Sequence, residues 1–157
     1  MPNMLTRQLD DLLLIALGSR NPSDAEWDEA VVHSKRQLEL RGDVSKCGAL
    51  VFTDGGSPSS KQRQALRAIY GEKPPPMALI TESFAARAAV SVFTIFWPSS
   101  NAVFAPGDWD KALRHVGVAE ARHAAVAREL RSMEVALGTL HVARPFLTHY
   151  SSDRASQ

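Results

Sequence analysis

Short apolar runs alternate with helical patterns along this chain. Each run has four to six residues and stops at a glycine, an acidic residue or a proline, which is typical of a buried β-strand. These strands are predicted at residues 12–17, 49–53, 77–81 and 102–105, and a further short strand at 4–9 precedes a turn at Asp10 and Asp11. Repeated strand–helix pairs predict an α/β fold: a single, mainly parallel sheet of four to five strands with helices on both faces.

Capping residues mark where the predicted helices begin and end. Ser23 and Glu26 form a capping box that opens the first helix, and Gly42 is placed to end it. Ser59 and Gln62 form a second box. The later helices are predicted at 61–70, burying Ala65, Leu66 and Ile69 before Gly71; at 84–97, capped by Ser83; and up to His115, capped by Asp108.

One long amphipathic pattern, predicted as a helix over about residues 119–142, follows the last strand–helix pair. Its apolar stripe must be buried against another surface. Packing on the same domain is favoured because the stripe is short for a coiled coil, and a homodimer through this helix stays open as the alternative. The polar end from Pro145 is typical of a mobile tail. The predicted division is therefore an α/β domain (1–118), a C-terminal amphipathic helix (119–143) and a flexible tail (144–157). The stripe comprises Ala119, Val126, Leu130, Met133, Leu137 and Leu140.

Composition and charge narrow the classes of function. Of the 157 residues, 45% are hydrophobic and 22% are charged, with a formal net charge of +1. This composition predicts a globular domain that does not bind nucleic acid.

The sequence shows no signal-peptide pattern and no apolar stretch of ~20 residues, so no membrane span is predicted. A single cysteine, Cys47, favours a reducing compartment, and we expect a cytoplasmic protein. Neither a metal nor another cofactor is predicted, because metal-ligand spacing is absent among His33, His115, His123, His141 and His149.

The most distinctive segment is the loop of residues 54–60, which runs from Asp54 to Ser60 between a predicted strand and a capped helix. Gly55 and Gly56 allow a sharp turn. Open α/β sheets place their sites at the carboxyl ends of parallel strands, and Arg20 and Glu82 each follow another strand, so they are expected at the same edge. The candidate partner- or ligand-binding residues are Asp54, Gly55, Gly56, Ser57, Arg20 and Glu82. No catalytic residue is assigned.

Asp54 has two interpretations. A turn-forming residue that accepts hydrogen bonds from nearby backbone amides is favoured over a catalytic or phospho-acceptor acid. A receiver domain would need acids at the carboxyl end of the first strand, but Asp10 and Asp11 precede that strand. The glycine loop also lacks the lysine and the spacing of a phosphate-binding loop.

Three strand–helix segments follow one another along the chain in the order found in a known family of small α/β domains. The first joins residues 10–18 to a long helix opened by residues 23–27, the second is the strand 48–53 with its helix, and the third joins residues 101–105 to 108–115. Together, over about residues 4–118, they resemble the STAS family, the fold of the anti-sigma-factor antagonists, and especially its SpoIIAA-like branch. The resemblance implies a STAS-like fold and a non-enzymatic regulatory role.

In STAS antagonists a phosphorylatable serine follows an aspartate between a strand and a helix. The resemblance makes Ser57, after Asp54, the counterpart here, although the spacing departs from the family's tighter Asp-Ser-Ser-Gly arrangement. We therefore predict a non-enzymatic, cytoplasmic regulatory or protein-binding module that acts on an unknown protein partner through residues 54–60. The alternative is a small enzyme or ligand-binding domain that uses the same sheet edge for an anionic or lipid-like molecule.

Overall fold

The computed structural model of the chain describes residues 1–82 and 101–155. Five strands form one sheet in sequential order: β1 (Met4–Leu9), β2 (Leu12–Leu17), β3 (Gly48–Thr53), β4 (Met77–Thr81) and β5 (Asn101–Phe104). β1 pairs antiparallel with β2, and the remaining neighbours pair in parallel. The strand predictions and the α/β class are confirmed, with β3 beginning one residue earlier than predicted and β5 shifted by one residue.

The described helices are α1 (Asp24–Arg41), α2 (Ser60–Tyr70), α3 (Trp109–His115), α4 (His123–Leu137) and α5 (Arg144–Ala155). Both predicted capping boxes are present at the starts of α1 and α2, and Gly42 ends α1 in the left-handed conformation at φ 74°. The helix predicted at 84–97 with its cap at Ser83 lies outside the described residues. Within residues 1–82 and 101–155, no helix combines the length and the apolar run needed to cross a membrane.

Two apolar layers cover the two faces of the sheet. β2 is buried along its whole length, so its alternate side chains belong to different layers. Leu13 and Ile15 pack in the layer that contains Trp27 of α1. Leu14 packs in the opposite layer, with Leu130 of α4 and residues of α3 and α5. Helices therefore lie on both faces, as predicted.

The amphipathic stripe of the C-terminal region completes this second layer. Val126, Leu130, Met133 and Leu140 are each at most 1% exposed and belong to the same cluster as the sheet residues. For these four residues the prediction that the stripe packs on its own domain is confirmed, whereas Leu137 is half-buried and Ala119 is exposed and precedes α4. Burial of this kind stabilises a fold by roughly 1.5–3 kcal/mol for each large apolar side chain.

Two predictions for the C-terminal region are wrong. The sequence predicts one helix to Val142, but α4 ends at Leu137, after which Gly138 turns the chain at φ 86° and a short 3-10 turn occupies His141–Ala143. The sequence also predicts a mobile tail from residue 144, but α5 occupies that segment. Phe146 is fully buried there, and a proline in the first turn of a helix loses no intrahelical hydrogen bond.

Two further local predictions are corrected. Ala65 is exposed and Leu66 and Ile69 are only half-buried, whereas Gln62 and Tyr70 are the buried residues of α2. Gln62 is held there because its side-chain amide donates to the carbonyl oxygen of Pro22 at 3.1 Å and to the carboxylate of Asp24 at 3.0 Å.

Asp108 does not cap the helix that follows it. It ends a 3-10 turn, Pro106–Asp108, and makes no capping hydrogen bond. Its carboxylate instead lies 3.4 Å from Nζ of Lys111.

Candidate functional site

Three parallel strands end level with one another. Leu17 of β2 and Thr81 of β4 are both in register with Thr53 of β3. The next residues, Gly18, Asp54 and Glu82, therefore leave the sheet side by side at its carboxyl edge. This register places Asp54 and Glu82 at the same edge of the sheet, as predicted, and Arg20 lies in the loop that begins at Gly18.

The loop after β3 is pressed against the loop after β2. The backbone N–H of Gly56 donates to the carbonyl oxygen of Gly18 at 2.9 Å. A Cβ atom at Gly56 would lie 2.2 Å from the carbonyl oxygen of Arg20 and 2.8 Å from that of Gly18. Only glycine allows this approach of two backbones.

Side chains at both ends of this contact hold it in place. Thr53 donates its hydroxyl to the carbonyl oxygen of Gly56 at 2.8 Å and accepts from the N–H of Gly55 at 3.1 Å. The N–H of Ser57 donates to Oδ1 of Asn21 at 3.0 Å. The first half of the 54–60 loop is thus bound on both sides before the capped start of α2.

The N-terminal residues brace the loop after β2 from its other side. Glu26 accepts hydrogen bonds from the backbone N–H groups of Asn3 at 2.7 Å and Ser23 at 2.8 Å. Burial acts to raise the pKa of Glu26, but these donors outweigh burial and the net pKa is lowered. The carbonyl oxygen of Asn3 in turn accepts from the N–H of Gly18 at 2.8 Å. The edge is therefore a connected backbone network.

Asp54 joins this edge to the C-terminal segment. One carboxylate oxygen accepts from the N–H of His141 at 2.8 Å, and the other accepts from the N–H of Val142 at 2.9 Å. These amides open the 3-10 turn His141–Ala143, whose first N–H groups have no partner within the turn. Asp54 satisfies backbone amides as its favoured interpretation predicts, but the amides are distant in sequence.

A cleft of about 570 Å³ opens where these segments meet. Half-buried Asp54 lines the cleft, together with four exposed residues: Ser19, Glu82, Thr139 and His141. The cleft combines two carboxylates, two hydroxyls and one imidazole. Such groups can bind hydrogen-bond donors and basic groups of a partner.

The predicted site residues separate into two groups. Asp54 and Glu82 line the cleft, whereas Gly56 and the backbone of Arg20 form the loop contact beside it. Ser57 is half-buried in that contact. Thr139 and His141 are not predicted as site residues from the sequence, because the sequence predicts a continuous helix to Val142. In the structure, the helix ends at Leu137 and the turn that follows brings both residues to the edge.

Cys47 lies at the opposite end of β3 and is a packed thiol. It is 3% exposed, and its Sγ lies 3.5 Å from the carbonyl oxygen of Asp43. Burial raises the pKa of the Cys47 thiol, which keeps it neutral. This environment fits a structural cysteine.

In the two described ranges, no three histidine, cysteine or acidic side chains come close enough to hold a metal ion. No protein-family model, curated protein or solved structure matches the chain. The evidence for a function therefore comes from the geometry and the side-chain chemistry of the carboxyl edge.

Proposed function

We propose that this chain is a non-enzymatic regulatory module of STAS-like type, which binds a protein partner in the cytoplasm through the carboxyl edge of its sheet. The observation that supports this most is the bracing of that edge. A backbone hydrogen bond joins the loops after β2 and β3, and the Asp54 carboxylate joins the segment after α4 to them, around one cleft with exposed polar side chains. A surface ordered before binding loses less conformational entropy when a partner binds.

The role of Asp54 favours binding over catalysis. Both of its carboxylate oxygens accept from backbone amides, so this residue holds the edge together. The side chains that remain available to a partner are the exposed ones around it, Ser19, Glu82, Thr139 and His141. Glu82 gives this surface acidic character, which suits a partner that presents basic or amide-rich side chains.

Regulation by phosphorylation of Ser57 is part of the proposal. A phosphate adds about −1.5 to −2 charges at neutral pH. At Ser57 this charge would join Asp54 and Glu82 on the same edge and would sit in the contact that Gly56 makes with the neighbouring loop. We expect modification there to weaken partner binding by changing both the charge and the shape of the surface.

Ligand binding is the second candidate, and the volume of the cleft supports it. About 570 Å³ falls within the roughly 300–1,000 Å³ of small-molecule sites. The two carboxylates make an anion a poor fit and favour a molecule that presents hydroxyl or amino groups. For this alternative the lining therefore favours a donor-rich molecule over the anionic or lipid-like molecule that the sequence predicts.

Site-specific crosslinking tests the proposed function. A photo-reactive amino acid is placed at Thr139, which is exposed at the cleft, and separately at Glu39, which is exposed on α1. Both proteins are irradiated in extract of the native host. We expect a discrete protein adduct from position 139 and none from position 39.

Variants of the edge then test the captured partner. Ser57→Asp should weaken its affinity at least tenfold while leaving the melting temperature within a few degrees of wild type, because substitutions outside the core cost about 0.5 kcal/mol or less. Unchanged affinity would show that this loop is not the interface. Equal adducts from positions 139 and 39 would argue against the whole edge.

A further inference from the structure

A second cleft, of about 680 Å³, lies on the face of the sheet covered by the C-terminal helices. It is bordered by α3, by the start of α4 and by α5. No described residue that lines it also lines the cleft at the carboxyl edge. The residues important for its chemistry are Trp109, Asp110, Glu120, His123, His149 and Tyr150.

Aromatic rings gather around Trp109 in this cleft. The ring centre of Trp109 lies 5.0 Å from that of His149 and 5.9 Å from that of Tyr150, and the rings of His149 and Tyr150 meet edge to face at 4.9 Å. His123 approaches Trp109 at 6.2 Å, also nearly perpendicular. Its imidazole is held by a contact of 3.1 Å between Nε2 and the carbonyl oxygen of Val118.

The inner side of this aromatic group is anchored in the core. Phe146, which is fully buried, lies 5.0 Å from Trp109 and 5.4 Å from Tyr150 between ring centres. Trp109 and Tyr150 are themselves half-buried. The rings are therefore positioned before any ligand arrives, which lowers the entropic cost of binding.

The charges that line the cleft are mostly acidic. Asp110 and Glu120 supply two carboxylates, and Arg114 supplies one guanidinium. Arg114 pairs with Asp110 on the same helix, with Nη2 and Oδ2 3.2 Å apart. Glu120 is exposed, and its negative charge is left in excess over that pair.

We infer that this cleft binds an organic cation that carries a methylated ammonium group. Trp and Tyr faces attract such cations through their π-electrons, and the methyl groups pack on the rings. The excess carboxylate charge complements a single positive charge. An anionic ligand would be repelled by the Glu120 carboxylate, and a neutral apolar ligand would leave that carboxylate without a counter-charge.

A titration followed by NMR tests the inference, with choline as the probe. The indole N–H signals are assigned by single Trp→Phe replacements. The Trp109 signal should shift saturably with choline. The Trp27 signal should stay in place, because its indole N–H donates to the carbonyl oxygen of Gln62 at 2.6 Å inside the other layer. The neutral isostere 3,3-dimethylbutan-1-ol should cause no saturable shift.

Two variants identify the groups responsible. Glu120→Gln should weaken choline binding about threefold to tenfold, and the matched Glu39→Gln change on α1 should leave it unchanged. Trp109→Leu should weaken it at least tenfold, with the Trp27 signal at its wild-type position as evidence that the fold is kept.

A peptide containing trimethyl-lysine, compared with its unmethylated form, distinguishes a modified protein from a free small molecule as the source of the cation. Saturable binding of choline or of the methylated peptide supports the site. Absence of saturable binding by both, binding of the neutral isostere equal to that of choline, or unchanged binding by Glu120→Gln would overturn the inference.

Discussion

Replacing Asp54 with alanine tests the bracing of the carboxyl edge. The change removes both carboxylate oxygens that accept from the amides of His141 and Val142 at 2.8 and 2.9 Å. A hydrogen bond to a charged group contributes about 1.5–3 kcal/mol. Water can replace the lost partner of the His141 amide, which is at an exposed position, but only partly that of the Val142 amide, which is part-buried.

We therefore expect Asp54→Ala to lower the free energy of unfolding by about 2 kcal/mol. For a chain of 157 residues, this corresponds to a fall in melting temperature of about 4–8 °C. Asp54→Asn keeps one acceptor oxygen and should lose about half as much. Urea unfolding measures the free energy, and amide hydrogen exchange should show faster exchange at residues 141 and 142.

A matched control is Asp28→Ala, at an exposed position of α1, which should change stability by about 0.5 kcal/mol or less. If Asp54→Ala behaves like this control and leaves the exchange of residues 141 and 142 unchanged, the carboxylate does not hold the C-terminal segment.

Three further changes test other parts of the account. Gly56→Ala should destabilise the fold by about 2 kcal/mol or more, because its Cβ would lie 2.2 Å from a backbone oxygen; Gly107→Ala, with nothing within 4 Å of a new Cβ, is the control, and equal unfolding curves would contradict the close contact. Truncation after Gly117 should leave an unfolded chain, because it removes core side chains from α4 and α5; a folded monomer by circular dichroism and light scattering would contradict this. Burial raises the pKa of Asp11, but the hydrogen bond from Arg122 at 2.6 Å helps to lower the net value below 3.8. Asp11→Asn should therefore reduce stability at neutral pH, and the deficit should disappear as the pH falls below 3.8 through the lowered pKa; a deficit independent of pH would contradict this.

Features set by neighbouring residues could be predicted from the sequence. The capping boxes at Ser23 and Ser59 and the strand ends that lead to Asp54 depend on local patterns, and all are present in the structure. The partners of Asp54 lie 87 and 88 residues away. No rule of sequence spacing connects such positions. The hydrogen bonds by which Asp54 holds the C-terminal segment are therefore visible only in the folded structure.

The C-terminal region shows why composition misled the prediction there. The last residues are polar and follow Pro145, which suggests a tail, but Phe146 and Leu147 dock on the core and stabilise α5. Tertiary packing, not local propensity, makes this segment helical. The same docking brings His149 and Tyr150 to Trp109, so the aromatic cleft carries no signal in the linear sequence.

Hydrogen–deuterium exchange on the complex with the crosslinked partner tests the central proposal most directly. If the carboxyl edge is the interface, amides at residues 18–21, 54–60 and 139–142 should exchange more slowly in the complex than in the free chain. The outer surfaces of α1 and α2 should exchange at the same rate in both. Protection confined to α1 and α2, with no change at the three edge segments, would contradict the proposal.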